Sequence, residues 1–414
     1  MDRRTFLRLG VLGAGSAALA PRLLGSALPG AWAADGPYGG LQAADVNGIQ
    51  LPPGFTSRVV ARSGQTVPGS SYVWHTAPDG GACFSVPGGG WVYASNSEVG
   101  SGGGGVGVLR FGADGAVSGA SRVLGGTSRN CSGGPTPWGT WLSCEEVSTG
   151  QVWECDPLGT NAAAARPGMG RFNHEAAAVD PVGQAVYLTE DAGDGRLYRF
   201  RPTTWPDLSA GALEVATVSG SVVTWSSIPD PDGSPTATRS QVTGSTPFNG
   251  GEGAWYGDGK VWFTTKGDNR VWELNVGANP QTIRVIYDDN TSPNPILTGV
   301  DNIVGSASGD LFVAEDPGNL ELVLLEPGGA TSAFLRLLNQ SGSEVAGPAF
   351  DPSGTRLYFS SQRGPTGSGS GITYEVKGPF RTSASTTTTT VAPTTTSTAP
   401  ATTTTTKRRG PKPR

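Results

Sequence analysis

The chain has 414 residues with 34 acidic and 29 basic side chains, a net charge of −5, and only two histidines, His75 and His174. So few histidines exclude a multi-histidine metal centre and most zinc-hydrolase chemistry, and the acidic balance speaks against nucleic-acid binding. With 64 glycines and 32 prolines, long helices are disfavoured, and short strands joined by tight turns are expected.

Residues 1–33 read as an export leader. Arg3-Arg4-Thr5-Phe6-Leu7 opens it, a Gly/Ala/Leu stretch follows, and Ala31-Trp32-Ala33 supplies a small-x-small cleavage site. The arginine pair points to the twin-arginine export machinery, which carries folded proteins. A periplasmic, cell-envelope-associated or extracellular location is expected. Beyond the leader no apolar stretch approaches the ~20 residues of a transmembrane helix, so no transmembrane segment is expected in the mature chain.

Residues 34–381 carry one strand pattern six times. A short aromatic strand recurs at Val92-Tyr93-Ala94-Ser95, Thr140-Trp141-Leu142-Ser143, Val186-Tyr187-Leu188-Thr189, Val261-Trp262-Phe263-Thr264, Leu311-Phe312-Val313-Ala314 and Leu357-Tyr358-Phe359-Ser360. A second strand follows each, as in Leu197-Tyr198-Arg199-Phe200. A small-residue segment ending in a turn such as Asp351-Pro352-Ser353-Gly354 precedes each aromatic strand. Repeats of this kind imply an all-β fold, a six-bladed β-propeller. From residue 382 to 414 the chain is Thr/Ser/Pro-rich and ends Lys407-Arg408-Arg409-Gly410-Pro411-Lys412-Pro413-Arg414. That composition cannot bury a core and is expected to be disordered. Its basic end suits contact with an acidic cell envelope.

Neighbouring strands of a propeller blade are antiparallel. The start of the innermost strand and the end of the next therefore meet at one mouth. The inner-strand starts carry Cys131, Glu175, Glu252 and Asp301. The aromatic-strand ends carry Glu98, Cys144-Glu145-Glu146, Glu190-Asp191, Lys266, Glu315-Asp316 and Gln362. So many carboxylates at one place repel one another unless cations sit among them, and Ca2+ takes six to eight oxygens. Cys131 is foreign to a calcium site, because thiolates prefer iron, copper or zinc. A disulfide with Cys144 is the other reading of Cys131. Lys266 and Arg363 end two blades that lack acids there. They either hold a substrate anion or balance the acids. His174 stands beside Glu175 and is expected to orient it, or to be an ordinary buried histidine.

The segment Asn130-Cys131-Ser132-Gly133-Gly134-Pro135-Thr136-Pro137-Trp138-Gly139-Thr140-Trp141-Leu142-Ser143-Cys144-Glu145-Glu146 resembles the PhoX-type bacterial alkaline phosphatases. So do Gly170–Asp180, Val186–Asp191, Glu252–Tyr256, Asp301-Asn302 with Ala314-Glu315-Asp316, and Ala346–Phe350. The first blade departs from the pattern, reading Asn96-Ser97-Glu98 where Asn-His-Glu is expected. The resemblance implies a twin-arginine-exported propeller that hydrolyses phosphate monoesters with iron (Fe3+) and calcium (Ca2+). It makes Cys131 an iron ligand and Glu145, Glu175, Glu252, Asp301 and Glu315 carboxylate ligands. Glu175, Glu252 and Asp301 would act in catalysis through the bound metals. Glu146, Glu190 and Asp191 are weaker transfers.

Two other readings of the residues remain at this stage. A calcium-dependent propeller lactonase or esterase would need the carboxylates but not Cys131. A non-catalytic surface protein would use calcium structurally and present its Thr-rich tail.

Overall fold

The computed structural model describes residues 35–382. The expected leader, residues 1–33, and the tail beyond residue 382 lie outside the described residues. The described part is all-β. Its helical content is two 3-10 turns, Pro167–Met169 and Thr238–Ser240. No described helix is long and apolar enough to cross a membrane.

The sheets are arranged like the blades of a propeller. Six first strands lead the repeats: Pro78–Ser85, Asn130–Pro135, His174–Asp180, Gly251–Gly257, Val300–Gly305 and Val345–Phe350. Each packs beside the next, and the last packs on the first, so they close a ring around an axis. Each first strand pairs antiparallel with the expected aromatic strand, for example Trp91–Ser97, Trp141–Glu145 and Ala185–Glu190. Six buried apolar clusters fill the spaces between neighbouring repeats. One joins Leu142, Val152, Met169 and Phe172 to Val186, Leu188 and Tyr198. Aromatic and β-branched residues on the aromatic strands build these layers, as their alternation and burial require.

Hydrogen bonding divides the strands into five sheets rather than six. Four have four or five strands, and one has nine. The nine-stranded sheet arises because the long strand Asp207–Ser219 turns back into Val222–Ser227. That extra edge strand reaches the outer strand of the following repeat at Val222↔Thr282. A regular six-sheet count from sequence spacing does not foresee this junction. It depends on how far one outer hairpin extends.

The ring is closed by the chain's early residues. Thr56–Arg62 pairs with Ile372–Lys377 as the outer strand of the last sheet. Ile49–Gln50 pairs with the strand Thr331–Leu337. Arg58 spans the seam to Glu375 at 2.6 Å, and Arg356 reaches the same carboxylate at 2.7 Å.

Candidate active site

All six first strands carry the same irregularity at the same place. In each, the pairing register breaks between the first residue and the fourth: Pro78/Gly81, Asn130/Gly133, His174/Ala177, Gly251/Ala254, Val300/Ile303 and Ala346/Ala349, the last one residue along. A bulge re-aims the side chains it contains. The second residues of the first five strands are Asp79, Cys131, Glu175, Glu252 and Asp301. The sixth strand has Ala346 there, and Glu344 just before the strand supplies a carboxylate instead.

Gly80 and Gly253, the third residues of two of these bulges, lack a side chain where the next strand's backbone passes close by. A Cβ on Gly253 would lie 2.6 Å from Asn302 Cα, and one on Gly80 2.5 Å from Ser132 Cα. The bulged backbone is held from the neighbouring repeat. Asn96 donates to the carbonyls of Cys131 and Ser132 at 3.0 and 2.7 Å. Thr189 donates to the Glu252 carbonyl and Thr264 to that of Asp301, at 2.5 and 2.6 Å. The Asn96 side-chain oxygen Oδ1 in turn accepts from Trp141 Nε1 and Ser143 Oγ. This accounts for the Trp-x-Ser of the distinctive segment.

The result is a cleft of about 180 Å³ lined by Glu98, Cys131, Glu146, Glu175, Asp191, Glu252, Asp301, Asp316 and Glu344, with Arg129, Lys266 and Arg363. Four groups of donor atoms lie close enough to share an ion, within 4.8 Å of one another. They are Cys131–Glu146–Glu175, Glu175–Glu252–Asp301, Asp301–Asp316–Glu344 and Asp79–Glu98–Glu344. Glu175 belongs to two of them. Both of its oxygens are buried without a hydrogen-bond partner among the described residues. A doubly unsatisfied buried carboxylate is costly unless a cation completes it.

The electrostatics follow from this crowding. Burial, then Glu252 and Asp301, push Glu175 well above the ordinary carboxylate range. Burial and Glu98 do the same to Asp79, and burial and Asp301 to Glu252. Burial lifts Asp301 to about 6, with Lys266 opposing. Burial lifts Glu146 to about 8, and the charge of Glu98 adds to it. The Cys131 thiol is raised by burial and by Asp79 and Glu175, and its Sγ sits 3.6 Å from Asp79 Oδ2. Burial alone would raise Asp316, but a hydrogen bond with Glu344 and the charge of Lys266 hold it below its usual value. Lys266 is 2.9 Å from Asp316, 3.4 Å from Glu252 and 3.7 Å from Asp301. Arg363 is 2.7 Å from Glu344.

Several expected residues stand elsewhere. In each acidic pair at an aromatic-strand end, the first carboxylate turns away from the cleft and the second enters it. Glu145 accepts from Ser128 N, Gln151 N and Trp153 Nε1. Glu190 accepts from Arg196 N, Tyr198 Oη and Arg239. Glu315 accepts from Thr298 N and Glu321 N. Their neighbours Glu146, Asp191 and Asp316 line the cleft. The physical reason is side-chain alternation along a strand: consecutive residues face opposite sides. His174 does not touch Glu175. Its Nε2 lies 2.9 Å from the Gly170 carbonyl and its ring stacks on Phe172 at 3.6 Å. His75 is buried beside Tyr72 and Ser95, away from the cleft. All four cysteines are free thiols, and Cys144 packs inside an apolar cluster, so Cys131 and Cys144 are not joined.

Glu98 and Asp316, named at the aromatic-strand ends, line the cleft, and Asp79, Arg129 and Glu344 complete it without having been named by sequence reasoning. Asp79 could have been found by aligning the start of the first strand with the other five. Glu344 could not, because it lies just outside the strand that should have carried its counterpart.

Residues 92–152 and 147–284 match the family model of the alkaline phosphatase PhoX. These matches mark the chain as a PhoX-type alkaline phosphatase, a phosphoric monoester hydrolase. Cys131, Glu146, Glu175, Asp191, Glu252 and Lys266 of this PhoX-type chain fall within the matched segments, whereas Asp301, Asp316, Glu344 and Arg363 lie beyond them. Among solved structures it resembles Pseudomonas fluorescens PhoX in complex with vanadate, a transition-state analogue. The TM-score is 0.67 at 16% identity, over 81% of this chain and 97% of that one. A Bacteroides thetaiotaomicron protein of unknown function matches with a TM-score of 0.50 at 10% identity, over 78% of this chain and 76% of that one. No curated protein matches significantly.

Proposed function

We propose that this PhoX-type chain is an exported, metal-dependent phosphatase that hydrolyses phosphate monoesters in the acid-lined cleft of a six-bladed propeller. The observation that carries the reading is Glu175, buried with two unsatisfied oxygens where two donor groups meet. The blade count rests on the six bulged first strands and their closed ring. It takes the nine-stranded sheet as two blades fused at their outer edges. Export rests on the twin-arginine leader, and envelope contact on the basic tail.

The donor sets fit the implied ions. The all-oxygen groups around Asp301, Asp316 and Glu344, and around Asp79, Glu98 and Glu344, suit Ca2+. Cys131 with Glu146 and Glu175 suits Fe3+, because a thiolate and carboxylates favour a transition metal. Glu175, Glu252 and Asp301 would serve catalysis through these ions. Bound ions would neutralise phosphoryl charge and act as Lewis acids on the substrate. The chain's own part is to fix the ions' donors on bulged strands, so that little reorganises during reaction. Lys266 and Arg363, at the cleft wall, would draw a phosphate in and offset its charge. That a solved PhoX holds vanadate supports a phosphoryl group as the occupant of such a cleft.

The test is p-nitrophenyl phosphate hydrolysis at alkaline pH with added calcium. Protein exported through its own leader is compared with Cys131→Ala, and the iron content of both is measured. Turnover that disappears with the iron in the variant supports the reading. Equal turnover in both removes the thiol from the site and indicates a calcium-only hydrolase. No turnover in folded, iron-replete protein sinks the phosphatase reading and leaves a calcium-stabilised binding protein.

A further inference from the structure

The cleft holds three cations, and they are not equally engaged. Lys266 and Arg363 are tied to carboxylates at 2.9 and 2.7 Å. Arg129 is not. Its nearest acids are Glu98 at 3.5 Å and Glu146 at 3.7 Å, too distant for strong hydrogen bonds, and its side chain is half exposed at the cleft rim.

The backbone at Arg129 is unusual for its residue type. The residue preceding the first strand has positive φ in four repeats: Ala77 at 47°, Arg129 at 50°, Gly250 at 68° and Gly299 at 66°. This is the left-handed region, where glycine is at ease and a long side chain is strained. Two repeats use glycine and one uses alanine. Of the four positive-φ positions, only Arg129 carries a charged side chain, and that side chain lines the cleft. The conformation is enforced from several sides. Arg129 N donates to the Val99 carbonyl, and the Arg129 carbonyl accepts from Glu146 N. The preceding Ser128 N–H is held by Glu145 at 2.9 Å. Glu145, though outside the cleft, thus anchors the loop that presents the guanidinium.

The geometry points to Arg129 as a substrate-binding residue that takes the phosphate group of the ester at the rim of the cleft. This rests on the phosphatase reading above. A guanidinium with uncommitted N–H groups can grip two phosphate oxygens side by side. Lys266 and Arg363 must first leave their carboxylates to do so. Arg129 therefore grips the phosphate directly, while Lys266 and Arg363, held to their carboxylates, act on it only through their charge.

The test is isothermal calorimetry of inorganic phosphate on metal-replete wild type, Arg129→Met and Arg129→Gly, with metal content and melting temperature recorded. Both variants are expected to bind phosphate roughly ten- to hundredfold more weakly, the loss of a charge-assisted contact. KM for p-nitrophenyl phosphate should rise in step while metal content stays the same. Arg129→Gly should melt no lower than wild type, because glycine relieves the backbone. Unchanged phosphate affinity, or affinity lost only together with metal, overturns the assignment. So does a lower melting temperature in Arg129→Gly with phosphate affinity retained. Wild type that binds no phosphate overturns the phosphatase reading along with it.

Discussion

The acidic pairs divide labour within two residues. Glu145, Glu190 and Glu315 satisfy backbone and side-chain donors of adjacent loops, whereas Glu146, Asp191 and Asp316 face the cleft. The two members should therefore fail in different ways. Glu145→Gln and Glu315→Gln should each cost about 1–3 kcal/mol of stability by leaving buried donors unpaired, with metal content retained. Glu146→Gln and Asp316→Asn should lose bound metal and activity while melting near wild type without metal. Melting curves beside elemental analysis separate the two outcomes. Equal metal loss in both members of a pair would refute the division.

The same crowding makes a pH prediction. Burial and neighbouring charge raise Glu146 from an unfolded value of 4.5 to about 8, and Asp301 from 3.8 to about 6. A carboxyl raised on folding favours the native state fully below its unfolded value. That contribution is lost as pH climbs through its folded value. Chelator-treated protein should thus melt progressively lower from about pH 4.5 to 8. Metal-replete protein should not, since bound cations replace the protons. Thermal scans across that range, with and without chelator, check it. Parallel curves would mean that the acids are not relieved by metal.

At the scale of elements, the repeated bulge is the feature that converts a sheet into a site. A regular strand would point Cys131, Glu175 and Glu252 at the next strand's layer. The bulge turns them inward and lets small residues pass backbone to backbone at the axis. Gly253→Ala would set a Cβ 2.6 Å from Asn302 Cα and 2.9 Å from the Asp301 carbonyl oxygen. Neither backbone atom can yield cheaply. A loss of about 3 kcal/mol or more is expected, together with metal loss, because the shift falls on the strand carrying Asp301. Near-wild-type melting of this variant would show that the ring has slack. The repeat pattern in the sequence located these strands correctly. It did not reveal the bulge, because one extra residue at the start of each short first strand leaves the spacing of the aromatic strands unchanged.

At the scale of the molecule, the ring depends on its closing strand. Thr56–Arg62 covers the edge of Ile372–Lys377, and Phe55 packs with Phe334 and Phe380 in the cluster beneath the seam. An uncovered edge strand and apolar cluster are both unfavourable in water. A chain beginning at residue 63 should lack the cooperative thermal transition of one beginning at residue 35, as circular dichroism would show. Retained cooperativity would make the seam dispensable.

Much of this protein follows from local sequence. Alternating aromatic strands, turn residues and their six-fold recurrence determine an all-β ring, since each strand's pattern is a near-neighbour property. The clustering of acids at one mouth was legible for the same reason: strand ends of one polarity must share a face. Cys131, Glu175, Glu252 and Asp301 were found this way. The facing of Glu145 against Glu146, and of Glu315 against Asp316, was not. A one-residue difference reverses a side chain, and the register is set by pairing across strands. Likewise Glu344 reaches the cleft from outside its strand, the nine-stranded sheet forms through one distant pair, and Arg129 acquires its conformation from Val99, Glu145 and Glu146. These depend on contacts between residues far apart in sequence, which only the closed ring brings together.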